Sequence, residues 1–182
     1  MEKKYNVSIT KDDYLEMLMY QVFTGDVYRK RFKKNRLSLT LTFLFLAPLF
    51  YALGGIYIAL FYLLAAIAWY FYYPRYYKKK NKEFFDEYVE EKLKDALNKE
   101  ETVVFRDDAV LIKSDSEVFE IKRNSLEELV ELPHVMVIHV RSGKRILIPK
   151  RYITDKETFI SYFTSAGIKY SDFRHLKWGG FM

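Results

Sequence analysis

Hydrophobic and polar positions follow three different patterns along this 182-residue chain. Between Leu37 and Tyr73 lie 37 consecutive residues without one Asp, Glu, Lys, Arg or His. That run is too long for one buried core helix, and Gly54-Gly55 at its midpoint breaks helices and favours a turn. It predicts a transmembrane hairpin with spans at about residues 37–53 and 56–73. Each half rises roughly 26 Å, slightly short of the ~30 Å hydrocarbon layer and within what tilt and snorkelling side chains absorb. A soluble helix pair would instead carry a polar face.

The flanks agree with that reading. Arg29, Lys30, Arg31, Lys33, Lys34 and Arg36 precede the run, Arg75, Lys78, Lys79, Lys80 and Lys82 follow it, and neither flank contains an acid. Positive charge is retained on the cytoplasmic side, so the expected placement is the cell (cytoplasmic) membrane, multi-pass, with both termini cytoplasmic. Trp69, Tyr70, Tyr72, Tyr73, Tyr76 and Tyr77 form an aromatic belt at the same boundary. In the second span Gly55, Ala59, Tyr62, Ala66, Trp69 and Tyr73 share one face. Its small members suit close helix approach, either to the first span or in a homodimer. Pro48 is a candidate kink in the first span. No charge lies in mid-span, which fits an anchor better than a transport path.

Elsewhere the pattern changes. Tyr5, Val7 and Ile9 alternate as in a short strand. Thr10 with Asp13 marks a helix start, followed by Tyr14, Leu15, Leu18, Met19, Val22 and Phe23 at helical spacing up to Gly25. That stripe fits packing on a cytoplasmic domain or lying in the headgroup layer. Lys80–Asn98 is charged but keeps Phe85, Val89 and Leu93 in line, as a helix continuing from the second span. From Glu101 the period becomes two, predicting strands at Thr102–Arg106, Ala109–Lys113, Glu117–Lys122, Val135–Val140 and Arg145–Ile148. Turns fall at Asp107-Asp108, Ser114-Asp115-Ser116 and Ser142-Gly143-Lys144, and Pro149 stops the last strand. Ser125–Leu132 suits a helical turn or a strand. Thr154–Glu157 opens a helix with Phe159, Ile160 and Phe163 on its apolar face, and Gly167 closes it. The tail, with Phe173, Leu176, Trp178 and Phe181, has no clear period.

The expected fold is membrane α+β: a two-helix transmembrane hairpin plus a cytoplasmic antiparallel sheet capped by a C-terminal helix. Its parts are an N-terminal strand and helix (1–28), the hairpin with its basic flanks (29–82), a charged connecting helix (83–100), the cytoplasmic domain (101–167) and a tail (168–182). If the N-terminal strand joins the sheet, the hairpin is an insertion in the folded domain.

Composition narrows the function. The formal charge is +6, but outside the two flanks 19 basic residues face 24 acidic ones. The basicity therefore belongs to the membrane boundary, the expected partner is a bilayer with anionic headgroups, and no nucleic acid is expected. There is no cysteine, which excludes disulfides, thiolate zinc sites and thiol nucleophiles. His134, His139 and His175 lack zinc spacing, and no nucleophile elbow or phosphate loop is present. The pairs Asp12-Asp13, Asp86-Glu87, Glu90-Glu91 and Asp107-Asp108 read as a helix start, a solvated helix face and a turn. No enzymatic activity, cofactor or metal is expected. Arg141, Lys144, Arg145, Lys150 and Arg151 are the most basic part of the strand region. They would serve a lipid headgroup only by converging, and solvated surface is the plainer account.

Two spans with basic flanks, a charged helix, and a strand set ending ILIPKRYITDKETFISYF (Ile146–Phe163) resemble the YcxB-like family of bacterial membrane proteins. The opening YNVSITKDDYLEML (Tyr5–Leu18) is similar too, and the most specific segment is Ile148-Pro149-Lys150. The resemblance implies a pleckstrin-homology-like cytoplasmic domain and no particular activity. Where members carry Trp-Ser-Asp after the third strand, this chain has Arg123-Asn124-Ser125. The expectation is a membrane-anchored binding or scaffold module with a protein or lipid partner, or a homo-oligomer. The alternative is an accessory or regulatory subunit of a larger membrane transporter.

Overall fold

The computed structural model describes residues 3–114 and 118–175, the side chain of Ala96 excepted. The turn at Asp115-Ser116, the strand start at Glu117 and the tail residues Leu176, Trp178 and Phe181 lie outside the described residues. The described chain divides into two compact units, residues 3–18 with 85–175, and residues 19–84.

The first unit holds all the strands among the described residues. β1 (Lys3–Ser8), β2 (Glu100–Phe105), β3 (Ala109–Lys113) and β4 (Val118–Lys122) form one antiparallel sheet in that order. β5 (Leu126–Glu131), β6 (Val135–Val140), β7 (Arg145–Pro149) and β8 (Lys169–Asp172) form a second, in the order β7-β6-β5-β8. The single antiparallel sheet expected from strand counting is thus two four-stranded sheets, and β8 runs parallel to β5. β8 also corrects the tail, since residues 169–172 pair along β5 from Glu128↔Lys169 to Glu131↔Asp172. Its sequence, Lys-Tyr-Ser-Asp, is polar because it is a sheet edge, and that hid it from a search for apolar alternation. Residues 126–131 resolve as strand, after a 3-10 turn at Arg123–Ser125. The segment is apolar on both faces at Leu129, Val130 and Leu132, as burial between layers demands.

Strand β1 pairs with β2 across more than ninety positions of sequence, from Lys3↔Phe105 to Ser8↔Glu100. The segment carrying the hairpin is therefore inserted between two neighbouring strands of one sheet. One core joins both sheets: Val7, Val103, Phe105 and Val110 from the first, and Leu129, Met136, Ile138 and Ile148 from the second. Helix α4 (Lys156–Thr164) adds Phe159 and Phe163. The ring of Phe105 meets Tyr5, Phe159, Tyr162 and Phe163 edge-on at centroid distances of 5.3–5.8 Å, a favoured aromatic geometry. Asp155 caps α4 by accepting from the Thr158 N–H at 3.0 Å, and Gly167, at φ 74°, turns the chain into β8.

Helix α1 (Lys11–Thr24) starts where Thr10 and Asp13 mark it, with Asp12 and Asp13 in its first turn. Asp13 accepts from both the N–H and the hydroxyl of Thr10, each at 2.8 Å. The carboxylate at the third helical position thus reaches back to the capping residue.

The second unit contains the end of α1, all of α2 (Asp26–Gly54) and most of α3 (Ile56–Lys92). Both long helices run through the basic flanks, because Lys and Arg are good helix formers. α3 ends at Lys92, short of the expected Asn98; a 3-10 turn at Lys94–Ala96 follows, with Asn98 at φ 57°. Gly55 joins α2 to α3 at φ 80°. The inner stripe of the pair is Phe32, Arg36, Phe43, Ala47 and Phe50 against Tyr62, Ala66, Trp69 and Tyr73. Tyr62 stacks on Phe50 at 4.8 Å and 8°, and Phe32 meets Tyr73 at 5.3 Å. Both helices are long and apolar enough to cross a membrane, and their most apolar stretches are only 0% and 11% buried. A core helix of a water-soluble fold would be largely covered.

Candidate functional site

The five cations at 141–151 divide into two groups with different work. Lys150 and Arg151 are consumed by buried acids. Glu131, at the end of β5, is 0% exposed. Its Oε1 receives Lys150 Nζ and Lys156 Nζ, each at 2.6 Å, and its Oε2 accepts from the Tyr170 hydroxyl at 2.5 Å. Arg174 Nε lies 3.5 Å away. Burial alone would raise the Glu131 carboxyl, but the hydrogen bonds from Lys150, Lys156 and Tyr170 outweigh it and hold the group below the usual carboxylate range. Burial and the same carboxylate push the Tyr170 phenol up to about 12. This cluster ties the end of β7, the start of α4 and β8 to β5. Of the Ile148-Pro149-Lys150 segment, Ile148 is core, Pro149 ends β7, and Lys150 serves Glu131.

Arg151 forks onto Asp13 with N–O distances of 3.0 and 2.8 Å and also donates to the Ser8 carbonyl at 2.7 Å. Glu16 accepts from the His134 N–H at 2.9 Å and meets its ring Nδ1 at 2.9 Å. Lys11 reaches Asp86 at 2.8 Å and Glu90 at 2.6 Å. The first turns of α1 are thereby fastened to the β5–β6 turn, to the segment after β7 and to the end of α3. These partners stand up to 138 residues apart in sequence, so spacing could not reveal them. The one sequence signal was an acid, Glu131, between Val130 and Leu132 in an apolar strand.

Arg141, Lys144 and Arg145 do something else. With Lys122 at the end of β4 they line a cleft of about 690 Å³, whose apolar wall includes Ile112, Phe119, Ile121, Ile146 and Leu147. Ile9, Tyr14, Met17 and Glu101 close one side. Lys144 Nζ stands 4.8 Å from the centroid of the Phe119 ring, across the cleft. The wall comes from β4, which among the described residues pairs with β3 alone, and from the β6–β7 hairpin, where Gly143 at φ 83° makes the turn. Burial pushes the Glu101 carboxyl up. His139, half-buried on β6, is shifted down by burial and by Arg145. Among the described residues, no group of three or more Asp, Glu or His converges on a point that could hold a metal ion.

Of the expected anchor residues, Arg29, Lys30, Arg31, Lys33, Lys34, Tyr70, Tyr72, Arg75, Lys79 and Lys80 are exposed, Trp69 and Lys78 half-buried, and Arg36 and Tyr73 buried. On the small-residue face Gly55 is exposed, Ala59 half-buried and Ala66 buried. Arg123 lies over the Tyr162 ring at 4.1 Å and donates to the Tyr162 carbonyl and, at 3.1 Å, to the Ser165 hydroxyl, holding the end of α4. No protein-family model matches the chain, and no curated protein or solved structure gives a significant match to it.

Proposed function

We propose that the chain is a membrane-anchored binding module of the YcxB-like type. On this reading the sheet unit is a pleckstrin-homology-like domain held under the cytoplasmic leaflet by the α2–α3 hairpin. One observation carries the proposal: β1, before the hairpin, and β2, after it, are paired neighbours in one sheet. A chain that leaves and re-enters the same sheet does so on one side of a membrane, so an insert that crosses must cross an even number of times. Two long apolar helices meet that count. The acid-free basic flanks support a cytoplasmic side for the sheet unit. The open cleft, with apolar wall and cationic rim, supports binding as the work of the anchored unit.

Two measurements on one membrane preparation test this. The protein stays in the pellet after alkaline carbonate, and a C-terminal tag is cut by protease only in inside-out vesicles. Release by carbonate, or cleavage of the tag on intact cells, overturns the reading.

A further inference from the structure

We infer that the cleft between β4 and the β6–β7 hairpin binds an anionic lipid, its phosphate against Arg141, Lys144 and Arg145 and its acyl chain over Phe119. The inference rests on the binding-module reading and names its ligand class. About 690 Å³ lies within the size range of pockets that hold small organic ligands. Its chemistry is divided: one wall is aliphatic and aromatic, and the rim carries Lys122, Arg141, Lys144 and Arg145. Glu101 and Glu120 also line it, so four cations face two acids. Buried carboxylates take up Lys150 and Arg151 nearby. By contrast the side chains of Lys122, Arg141 and Arg145 make no ion pair or hydrogen bond among the described residues. Cations of that kind are available to an incoming anion, and guanidinium groups bind phosphate in a forked geometry.

The apolar half separates a lipid from a bare anion. Phe119 on β4, whose side chain lines the cleft beside Ile112 and Ile121, is 44% exposed, which leaves part of the apolar wall uncovered. A free phosphate has no use for that wall. Lys144 Nζ lies over the Phe119 ring at 4.8 Å, a cation–π contact that sets positive charge directly beside the apolar surface. A module tethered to a leaflet meets such lipids at high effective concentration.

The full chain is incorporated into nanodiscs of phosphatidylcholine, alone or mixed with phosphatidylglycerol, carrying traces of either lipid with a photoactivatable acyl chain. Mass spectrometry then maps the labelled residues. Labelling by the anionic probe is expected on residues 111–122 and 140–147. It falls by about tenfold or more in Arg141→Gln/Lys144→Gln/Arg145→Gln, whose side chains are all exposed, and it falls as well in Phe119→Gln. Equal labelling by the zwitterionic probe, or labelling confined to residues 19–84, overturns the inference while leaving the anchor standing. Hydrogen-exchange protection of 140–147 by inorganic phosphate alone, equal to that from anionic lipid, assigns the site to a free anion and also overturns it. An acidic, apolar peptide that occupies the cleft and resists displacement by phosphatidylglycerol overturns it in favour of a protein partner. Failure to enter the discs removes the anchor, and this inference with it.

Discussion

Arg36 on α2 donates its Nε–H to the carbonyl oxygen of Tyr70 on α3 at 3.1 Å. That carbonyl is the one Pro74, four residues on, leaves without a helical partner, because proline has no N–H to give. The guanidinium also lies 3.6 Å from the centroid of the Tyr70 ring. A charge at the edge of an apolar run and a proline inside a helix thus resolve each other. In a bilayer an orphaned carbonyl is costly, and Arg36 supplies the missing donor from the neighbouring helix.

The two residues are therefore coupled. Arg36→Met should destabilise the helix pair by about 1–3 kcal/mol, the cost of leaving a buried acceptor unmade. In a Pro74→Ala background, where residue 74 regains its N–H, the same change should cost markedly less. Thermal unfolding of the four proteins in detergent gives the coupling energy. Equal losses in both backgrounds would mean the contact is incidental.

The hairpin turn makes a sharper contrast between two adjacent glycines. Gly55 has φ 80° and ψ −175°, a region almost reserved for glycine, yet an added Cβ would meet nothing within 4 Å. Gly55→Ala should cost about 1–3 kcal/mol through backbone strain alone. Gly54→Ala would bring its Cβ to 2.3 Å from Ile58 Cδ1, the far end of a flexible side chain that can rotate away. It should cost clearly less, as read from the unfolding midpoints of the two variants side by side. A larger loss at Gly54 would show that packing, not conformation, sets the turn.

The hairpin, the turn glycines and β3 and β6 could be read from the chain because each is specified locally, by an uncharged run, a breaker pair or strict alternation. β3 and β6 fall on the expected residues, Ala109–Lys113 and Val135–Val140. What the chain withheld is non-local. β8 is a polar edge strand whose partner, β5, lies some forty residues earlier, and the sheet count depends on which edges pair. The sorting of cations was equally hidden: Lys150 and Arg151 stand beside Arg145 in sequence, but only tertiary contacts give them Glu131 and Asp13. Within the cleft, the hairpin cations were legible as a cluster, and their apolar counterpart on β4 was not, because Phe119 is some twenty-five residues upstream.

Glu131 should be far less tolerant than any one of its partners. Glu131→Gln leaves Lys150, Lys156 and Arg174 without their shared counter-charge and should cost about 2–3 kcal/mol, tempered because Lys156 and Arg174 are 39% and 43% exposed. Lys150→Met removes one of several cations, and Lys156 and Tyr170 still satisfy the carboxylate. Its cost should be nearer 1 kcal/mol. Urea unfolding of the sheet unit in the full chain, followed by hydrogen exchange in β5 and β8, reads both variants. Comparable losses would show that Lys150 alone neutralises the site.

Asp13 predicts how the protein responds to acid. Burial would raise its carboxyl, but Arg151 and the two donors of Thr10 hold it below its ordinary value. A carboxyl lowered on folding adds stability that is complete above the unfolded value, about 3.9, and that fades as pH falls through that value towards the folded one. Asp13→Asn should therefore destabilise the sheet unit by about 1–3 kcal/mol at neutral pH, the range tempered because Arg151 is 43% exposed. The penalty should shrink as pH falls below about 4, until wild type and variant converge. Arg151→Lys keeps the charge but loses the forked contact and the bond to Ser8, so it should recover less than half of what Arg151→Ala loses. Urea midpoints of the full chain, followed from neutral pH into acid, give both answers. A gap between wild type and Asp13→Asn that stays constant with pH would show that the carboxylate charge contributes nothing, and full rescue by lysine would show that the fork does not matter.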